Sequence, residues 1–482
     1  MLRRKLTAVL AACCLLSGLW GCHNPGTQEA FAPGQERTGE VQKEETDGAG
    51  ENLSEQDTSI RQEVSAEEGK GPRVLVDAEG YGTDEKKTVY FWGSGKSKTF
   101  QVVNADTRET VYTGTMRATV SENGAGGYLQ KGDFSSLTEP GTYYIEASHI
   151  GRSYDFQIGE SPFEDLSGVL LAAIEEEAAR DEGVFLYRCQ TLSWMLRYQE
   201  YYGRTESGLN QAAAPKLLTD AQQLGEQLAK EWGEKSAADR TSSSGAGLTD
   251  EETAYYCGAM AQLYEALKEY DARGANIFLK EAAGAYETLY QRRGAEFDET
   301  LLFYDAALLY KATGQNQYHN LIKAYLKNGS PREFFAGDAP EEELLSDEAY
   351  VYGAVAYMST LHKVDTALCD ELMETLRNGA EQVVEECEAN DYFCVSTDRR
   401  NRVLSDRLYL VAIIEHVVVS KEYVEILQGG IHYINGCNES GAGFVTGRGV
   451  LDPANDEKGS DAALGGAYLF IVGEIMESEA AE

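Results

Sequence analysis

The chain has 482 residues, 42 Lys and Arg against 80 Asp and Glu, and a formal net charge of −38 at neutral pH. That excess repels polyanions, so nucleic acid and anionic lipid surfaces are excluded as expected partners; it carries no information about fold. One small core cannot serve a chain of this length, and at least two folded domains are expected.

The first residues, Met1-Leu2-Arg3-Arg4-Lys5, are basic, residues 6–16 are apolar, and Ser17-Gly18-Leu19-Trp20-Gly21-Cys22 follows. A basic start, an apolar run too short to span a bilayer and small residues before a cut describe a signal peptide over residues 1–22. The tetrapeptide ending in Cys22 resembles a bacterial lipobox, with Trp20 where such motifs carry a small residue. Cys22 is therefore the expected lipid attachment site, and the remaining chain is expected outside the cytoplasm, held to the cell membrane by the lipid alone. An ordinary signal peptide with an incidental cysteine, or a short membrane anchor, is the alternative. Residues 23–71 are rich in Glu, Gln, Gly, Ser and Thr with hardly any aliphatic side chain, the composition of a disordered acidic tether.

Residues 72–160 carry short apolar runs broken by turn residues: Val74-Leu75-Val76, Thr88-Val89-Tyr90-Phe91-Trp92, Phe100-Gln101-Val102-Val103, Thr110-Val111-Tyr112 and Thr142-Tyr143-Tyr144-Ile145. Strands at that spacing predict a small β-sandwich. From residue 161 to 482 the period becomes helical. Leu166, Val169-Leu170 and Ile174 open a stripe that recurs through about a dozen segments, among them 192–201, 217–232, 254–270, 275–290, 302–312, 350–361, 368–388, 404–419 and 423–433. A helical barrel or a stacked helical array fits; no repeat of fixed period is visible, which disfavours a solenoid. Six cysteines, Cys189, Cys257, Cys369, Cys387, Cys394 and Cys437, lie scattered in apolar helical contexts without a CxxC pair or a nearby His. They are expected to be buried free thiols, and no zinc site or cofactor is expected from them.

Three stretches of the helical region resemble the family 9 glycoside hydrolases, cellulases with an (α/α)6 barrel. The first is Asp298-Glu299 followed by Ala306-Ala307-Leu308-Leu309-Tyr310-Lys311-Ala312-Thr313-Gly314. The second is Asn401-Arg402-Val403-Leu404-Ser405, which is similar to the family's Trp-Gly-Ser-Asn loop and its following helix, with Asp398 standing near the Trp position. The third, and most specific, is His432-Tyr433-Ile434-Asn435-Gly436-Cys437-Asn438 with Gly443-Phe444-Val445-Thr446-Gly447-Arg448-Gly449. In residues 72–160, Gly80-Tyr81, Asp133-Phe134-Ser135, Pro140-Gly141-Thr142-Tyr143 and Phe156-Gln157-Ile158 resemble the immunoglobulin-like domain that precedes many such barrels. The resemblance implies a multi-domain β plus all-α protein, an immunoglobulin-like β-sandwich followed by an (α/α)6 helical barrel. It also implies inverting hydrolysis of a β-glucan-type polysaccharide or oligosaccharide.

That chemistry needs two carboxyl groups, one protonating the leaving oxygen and one deprotonating a water, about 6.5–9.5 Å apart. Asp456-Glu457-Lys458-Gly459-Ser460-Asp461, before a small-residue helix, occupies the place of the family's acid segment and makes Glu457 the candidate acid. The alternative is an exposed carboxylate in an acidic loop. The family's Asp-Ala-Gly-Asp base motif has no counterpart; Ala179-Arg180-Asp181-Glu182-Gly183 stands before the matching helix, and Asp181, with Glu182 beside it, is the candidate base or else a solvated helix-end charge. The family's His-His-Arg substrate motif is missing too, and Trp194 and Trp232 are the two tryptophans in the barrel region. Flat aromatic faces hold sugar rings, so this depletion implies a shallow or altered cleft, and a glycan-binding or scaffold lipoprotein without catalysis is the alternative function.

Overall fold

In a computed structural model the described residues are 74–93, 97–123, 127–160, 162–203, 215–241, 247–294, 297–327, 348–395, 401–453 and 460–481. Cys22, the segment 23–71, Asp398 and Glu457 lie outside them.

Nine strands are described first: β1 (Val74–Leu75), β2 (Tyr81–Gly82), β3 (Thr88–Gly93), β4 (Thr99–Asn104), β5 (Thr110–Asn123), β6 (Gly127–Asp133), β7 (Gly141–Ala147), β8 (Gly151–Arg152) and β9 (Phe156–Gly159). β5 joins the two layers of the sandwich. Its residues 110–115 pair with β4, and from Met116 onward it pairs with β6. One layer runs β1-β3-β6-β5, the other β5-β4-β7-β9-β2 with β8 beside β7, and all pairings are antiparallel except β2 with β9. Alternation along the strands sets the two faces. Val74, Val89 and Phe91 enter the sandwich core, where Phe91 meets Phe100 at 5.4 Å between ring centres, whereas Leu75, Tyr90 and Leu129 join the core of the helical domain. The first layer is thus buried on both faces, which is why Val74-Leu75-Val76 reads as an unbroken apolar run.

Twelve helices are described after the sandwich: α1 (Pro162–Ala178), α2 (Phe185–Tyr201), α3 (Lys216–Thr241), α4 (Asp250–Leu267), α5 (Ala272–Gln291), α6 (Glu299–Thr313), α7 (Asn316–Lys327), α8 (Glu348–Met358), α9 (Thr366–Ala389), α10 (Asn401–Val418), α11 (Lys421–Ile434) and α12 (Ala462–Ala481). Their burial alternates. α5 buries one stripe, Ala275, Phe278, Ala282, Ala285 and Leu289, and α7 buries Tyr318, Ile322 and Leu326, as helices on an outer wall do. α6 and α8 are buried on nearly every side, the mark of an inner wall. The even-numbered helices form that inner wall. α2 packs on α4, α4 on α6, α6 on α8, α10 on α12, and α12 closes the ring on α2. Each inner helix gives a ring to one aromatic chain across the axis. Tyr255 meets Tyr304 at 5.6 Å, Tyr304 meets Tyr352 at 6.3 Å, Tyr352 meets Tyr409 at 6.5 Å, Tyr409 meets Phe470 at 5.2 Å, and Phe470 meets Trp194 at 6.1 Å. An open array could not bring all six together, so the choice between barrel and array falls to the (α/α)6 barrel.

All six cysteines named above are buried free thiols. No described helix is long and apolar enough to cross a membrane.

The third family-like stretch docks the two domains. His432 Nδ1 lies 2.7 Å from Asp77 Oδ2, Asn435 Nδ2 donates to the same oxygen, and the Ala78 N–H donates to the Asn435 carbonyl. Gly436 has φ +130°, and a Cβ there would lie 2.9 Å from the Val76 carbonyl, so only glycine lets the two backbones come this close.

Candidate active site

Successive inner helices run the same way, because each is followed by an outer helix that returns antiparallel to it. Their N-termini therefore gather at one mouth of the barrel. Local sequence fixes each end there. Thr249 caps α4 with a capping box, its Oγ1 accepting from the Glu252 N–H at 3.0 Å while Glu252 Oε2 accepts from the Thr249 N–H at 2.8 Å. Asp298 caps α6 through the Thr300 N–H. Asp461 caps α12, its Oδ1 accepting from the Ala463 and Leu464 N–H groups.

The second family-like stretch is not a loop: Asn401–Ser405 already forms the first turn of α10. Asn401 is fully buried and acts as a clasp. Its N–H donates to Asp452 Oδ1 at 3.0 Å, its Nδ2 to the Leu451 carbonyl at 2.7 Å, and its own carbonyl accepts from the Tyr468 hydroxyl of α12. Arg402, next along, pairs with Asp461 Oδ2 and lies 5.4 Å from the Tyr187 ring of α2. A small antiparallel sheet, β10 (Val445–Thr446), β11 (Gly449–Leu451) and β12 (Ser460–Asp461), leads in and out of this point. Gly449, at φ +114°, sits where a Cβ would fall 2.3 Å from the Asp461 carbonyl, which explains a glycine at the end of the Thr-Gly-Arg-Gly turn. The segment carrying Glu457 is therefore tied at both ends to the start of α10, at Asp452 before it and Asp461 after it.

Asp181 is exposed, in the turn between α1 and α2. α2 begins at Phe185, earlier than its apolar stripe suggests, so Asp181-Glu182-Gly183 immediately precedes an inner helix. The turn is pinned by Arg188, whose Nη2 donates to the Arg180 carbonyl. Since α2 packs directly on α12, the turn of Asp181 and the segment of Glu457 spring from neighbouring helix starts.

Sequence reasoning missed two groups at this mouth. Glu251, in the first turn of α4, has an exposed side chain at the rim; partial desolvation raises its carboxyl above the ordinary range, Glu348, Glu252 and Asp298 add to the rise, and Arg402 opposes it. Deeper, Glu348 at the start of α8 holds Arg197 through Oε1 and Nη1 at 2.8 Å, and the guanidinium lies 3.5 Å from the Tyr352 ring and 4.3 Å from Trp194. The first turns of helices are ordinary places for acids, so composition gave no signal for Glu251, and nothing local links Arg197 to Glu348. Neither barrel tryptophan faces a cleft: Trp194 is buried in the axis, and Trp232 stacks on Tyr256 at 4.5 Å. The first family-like stretch is a helix and its stop, with Gly314 at φ +67° ending α6.

Comparison with known proteins fits this architecture. The model of the cellulase N-terminal immunoglobulin-like domain matches residues 69–152, and that of glycosyl hydrolase family 9 matches residues 190–456, more than half of the chain. No curated protein sequence matches. Among solved structures, the GH family 9 endoglucanase J30 superimposes with a TM-score of 0.64 at 16% identity, over 82% of this chain and 99% of that one. AaCel9A in complex with cellobiose-like isofagomine gives 0.63 at 14% identity, over 84% and 99%. A Bacteroides ovatus GH9 gives 0.61 at 14%, over 85% and 99%. Identities this low speak for the fold alone; the family model, joined to a barrel closed by its twelfth described helix, carries the assignment. The chain belongs to glycosyl hydrolase family 9, as a divergent member with an immunoglobulin-like domain in front of its (α/α)6 barrel.

Proposed function

We propose that this protein is an inverting glycoside hydrolase acting on β-glucan-type polysaccharide or oligosaccharide outside the bacterial cell, tethered by lipid at Cys22. Glu457 is the acid that protonates the leaving oxygen, and Asp181 the base that deprotonates water. The observation that carries this reading is the double tie of the Glu457 segment, Asp452 to the Asn401 N–H and Asp461 to Arg402, beside the helix start that follows Asp181. An acid needs that kind of fixed footing, since catalysis depends on holding the proton within hydrogen-bond reach of the leaving oxygen. Asp181 is preferred to Glu251 as the base because its turn precedes α2, the helix packed on α12, whereas Glu251 stands on α4.

A glycan-binding protein without catalysis is the second reading. It draws on the missing Asp-Ala-Gly-Asp and His-His-Arg motifs and on the burial of both barrel tryptophans.

The full chain incubated with a panel of β-glucans separates the two. Release of reducing ends by the wild type, abolished in Glu457→Gln and reduced at least tenfold more by Asp181→Asn than by Glu251→Gln, is the expected result. The products should show an inverted anomeric configuration by NMR. Binding without release, unchanged in Glu457→Gln, installs the second reading; neither binding nor release leaves only a surface scaffold.

A further inference from the structure

The barrel end opposite the mouth gathers a set of donors that hydrolysis does not use. His416 lies in the last turn of α10, and Glu474 and Glu477, three residues apart, lie on α12. One ligand atom from each lies within 4.8 Å of the other two. His416 Nδ1 is 3.0 Å from Glu474 Oε2, and the Tyr202 hydroxyl at the end of α2 donates to that same oxygen at 2.7 Å. The Tyr201 ring stands edge-on to the imidazole at 5.0 Å, fixing its plane.

A single ion pair would account for His416 and Glu474, but not for the carboxylates around them. His416 Nδ1 has Glu474 Oε2 at hydrogen-bond distance, and Glu477 brings a second carboxylate oxygen within 4.8 Å of both donors. Glu415 is an independent sign of an uncompensated site. It is fully buried, and among the described residues its Oε2 has no hydrogen-bond partner. Its Oε1 accepts from Ser478, which sits one turn beyond Glu474 on the same face of α12, so the Glu415 carboxylate lies alongside that of Glu474. A buried carboxylate oxygen without a donor is costly, and so is unbalanced negative charge in a low-dielectric wall. A cation held beside Glu474 offsets that charge.

We infer that His416, Glu474 and Glu477 form a binding site for a divalent transition-metal ion, Zn²⁺ by the chemistry of its donors. One imidazole nitrogen and two carboxylate oxygens, with water in the fourth place, is a donor set this ion accepts, and rotation of the side chains would bring the donors to bonds of about 2.0–2.2 Å. Tyr202 serves as the outer partner that orients the Glu474 carboxylate. Glu415 lends charge without ligating. The ion would clamp α10 to α12 beside the end of α2, where the ring closes.

The test uses the full chain, stripped with chelator and titrated with ZnCl2 by calorimetry, with parallel thermal melts. One Zn²⁺ per chain and a raised melting temperature are expected. Glu477→Gln, a change at an exposed side chain that leaves the packed barrel intact, should weaken the affinity at least tenfold and remove the thermal shift. Co²⁺ in place of Zn²⁺ should give the weak visible bands of nitrogen and oxygen ligands. Absence of saturable binding, affinity unchanged in Glu477→Gln, or a strong thiolate charge-transfer band with Co²⁺, which would place the ion on cysteines, each overturns the site.

Discussion

Asp461 divides one carboxylate between two helices, its Oδ1 capping the N-terminus of α12 and its Oδ2 pairing with Arg402 of α10. It closes the segment that carries Glu457, so the stability of the barrel mouth and the footing of the candidate acid depend on the same side chain. Asp461→Ala removes the cap as well as the pair and should cost about 1–2 kcal/mol in denaturant unfolding. Asp461→Asn keeps an acceptor for the cap and gives up the charge pair. Its unfolding midpoint should stay close to that of the wild type, while release of reducing ends falls at least tenfold. Equal activity in wild type and Asp461→Asn would separate the segment's anchoring from hydrolysis.

Arg197 and Glu348 are 0% and 7% exposed and face each other in the barrel axis. Burial works against the charge on Arg197, and Glu348 with the surrounding tyrosine hydroxyls holds it in place. Glu348→Ala strands the guanidinium against aromatic rings and should cost about 3–5 kcal/mol, read by chemical denaturation. A double variant, Arg197→Met with Glu348→Leu, should recover most of that loss. A double variant as unstable as the single one would mean that packing, not charge, holds this part of the axis.

Gly436 stands where barrel and sandwich backbones meet. Gly436→Ala meets both an unfavourable φ of +130° and the Val76 carbonyl, and should weaken the docking by about 1–3 kcal/mol. Limited proteolysis is the sensitive measurement: the variant should be cut between the sandwich and the barrel faster than the wild type under native conditions.

Glu85 predicts how the same interface answers to pH. Burial pushes its carboxyl up to about 7, against the pull of His432 and the Gly82 N–H, and its side chain is 1% exposed. The folded protein therefore holds this proton more tightly than the unfolded chain does. The resulting stability is complete below the ordinary carboxyl value near 4.5 and is lost as pH rises towards 7. His432, raised by Glu85 and Asp77 in spite of its burial, loses its contribution in the same direction at higher pH. Glu85→Gln imitates the protonated acid. It should match the wild type near pH 4 and exceed it near pH 8 by on the order of 3 kcal/mol, seen as a flatter plot of melting temperature against pH. Parallel curves for the two proteins would refute the assignment.

Much of the fold is legible in the chain because it rests on local patterns. The change from strand runs to helical stripes near residue 161 announces two domains, and the one-sided stripes of α5 and α7 announce an outer wall. The starts of α2 and α10 are harder to read: Phe185-Leu186 opens α2 but Tyr187 and Arg188 then interrupt the apolar stripe, and Asn401 and Arg402 of α10 are polar because they clasp other elements. His432 shows a further limit. Its stretch was the most specific sign of the family, yet its imidazole is spent on Asp77, some 355 residues away in sequence. Nothing near His432 in the chain announces that partner.

The sequence by itself determined the division into a strand region and a helical region, the family resemblance and the identity of the candidate acid, because these depend on periodicity and on motifs of contiguous residues. Tertiary structure alone decided that the helices close into a ring, that Asp452 and Asp461 bracket the Glu457 segment at the start of α10, and that Arg197 meets Glu348 in the axis. It also decided that His416, Glu474 and Glu477 converge at the far end. Each of these joins side chains from helices remote in sequence, and only burial and charge compensation in the closed barrel select such pairs.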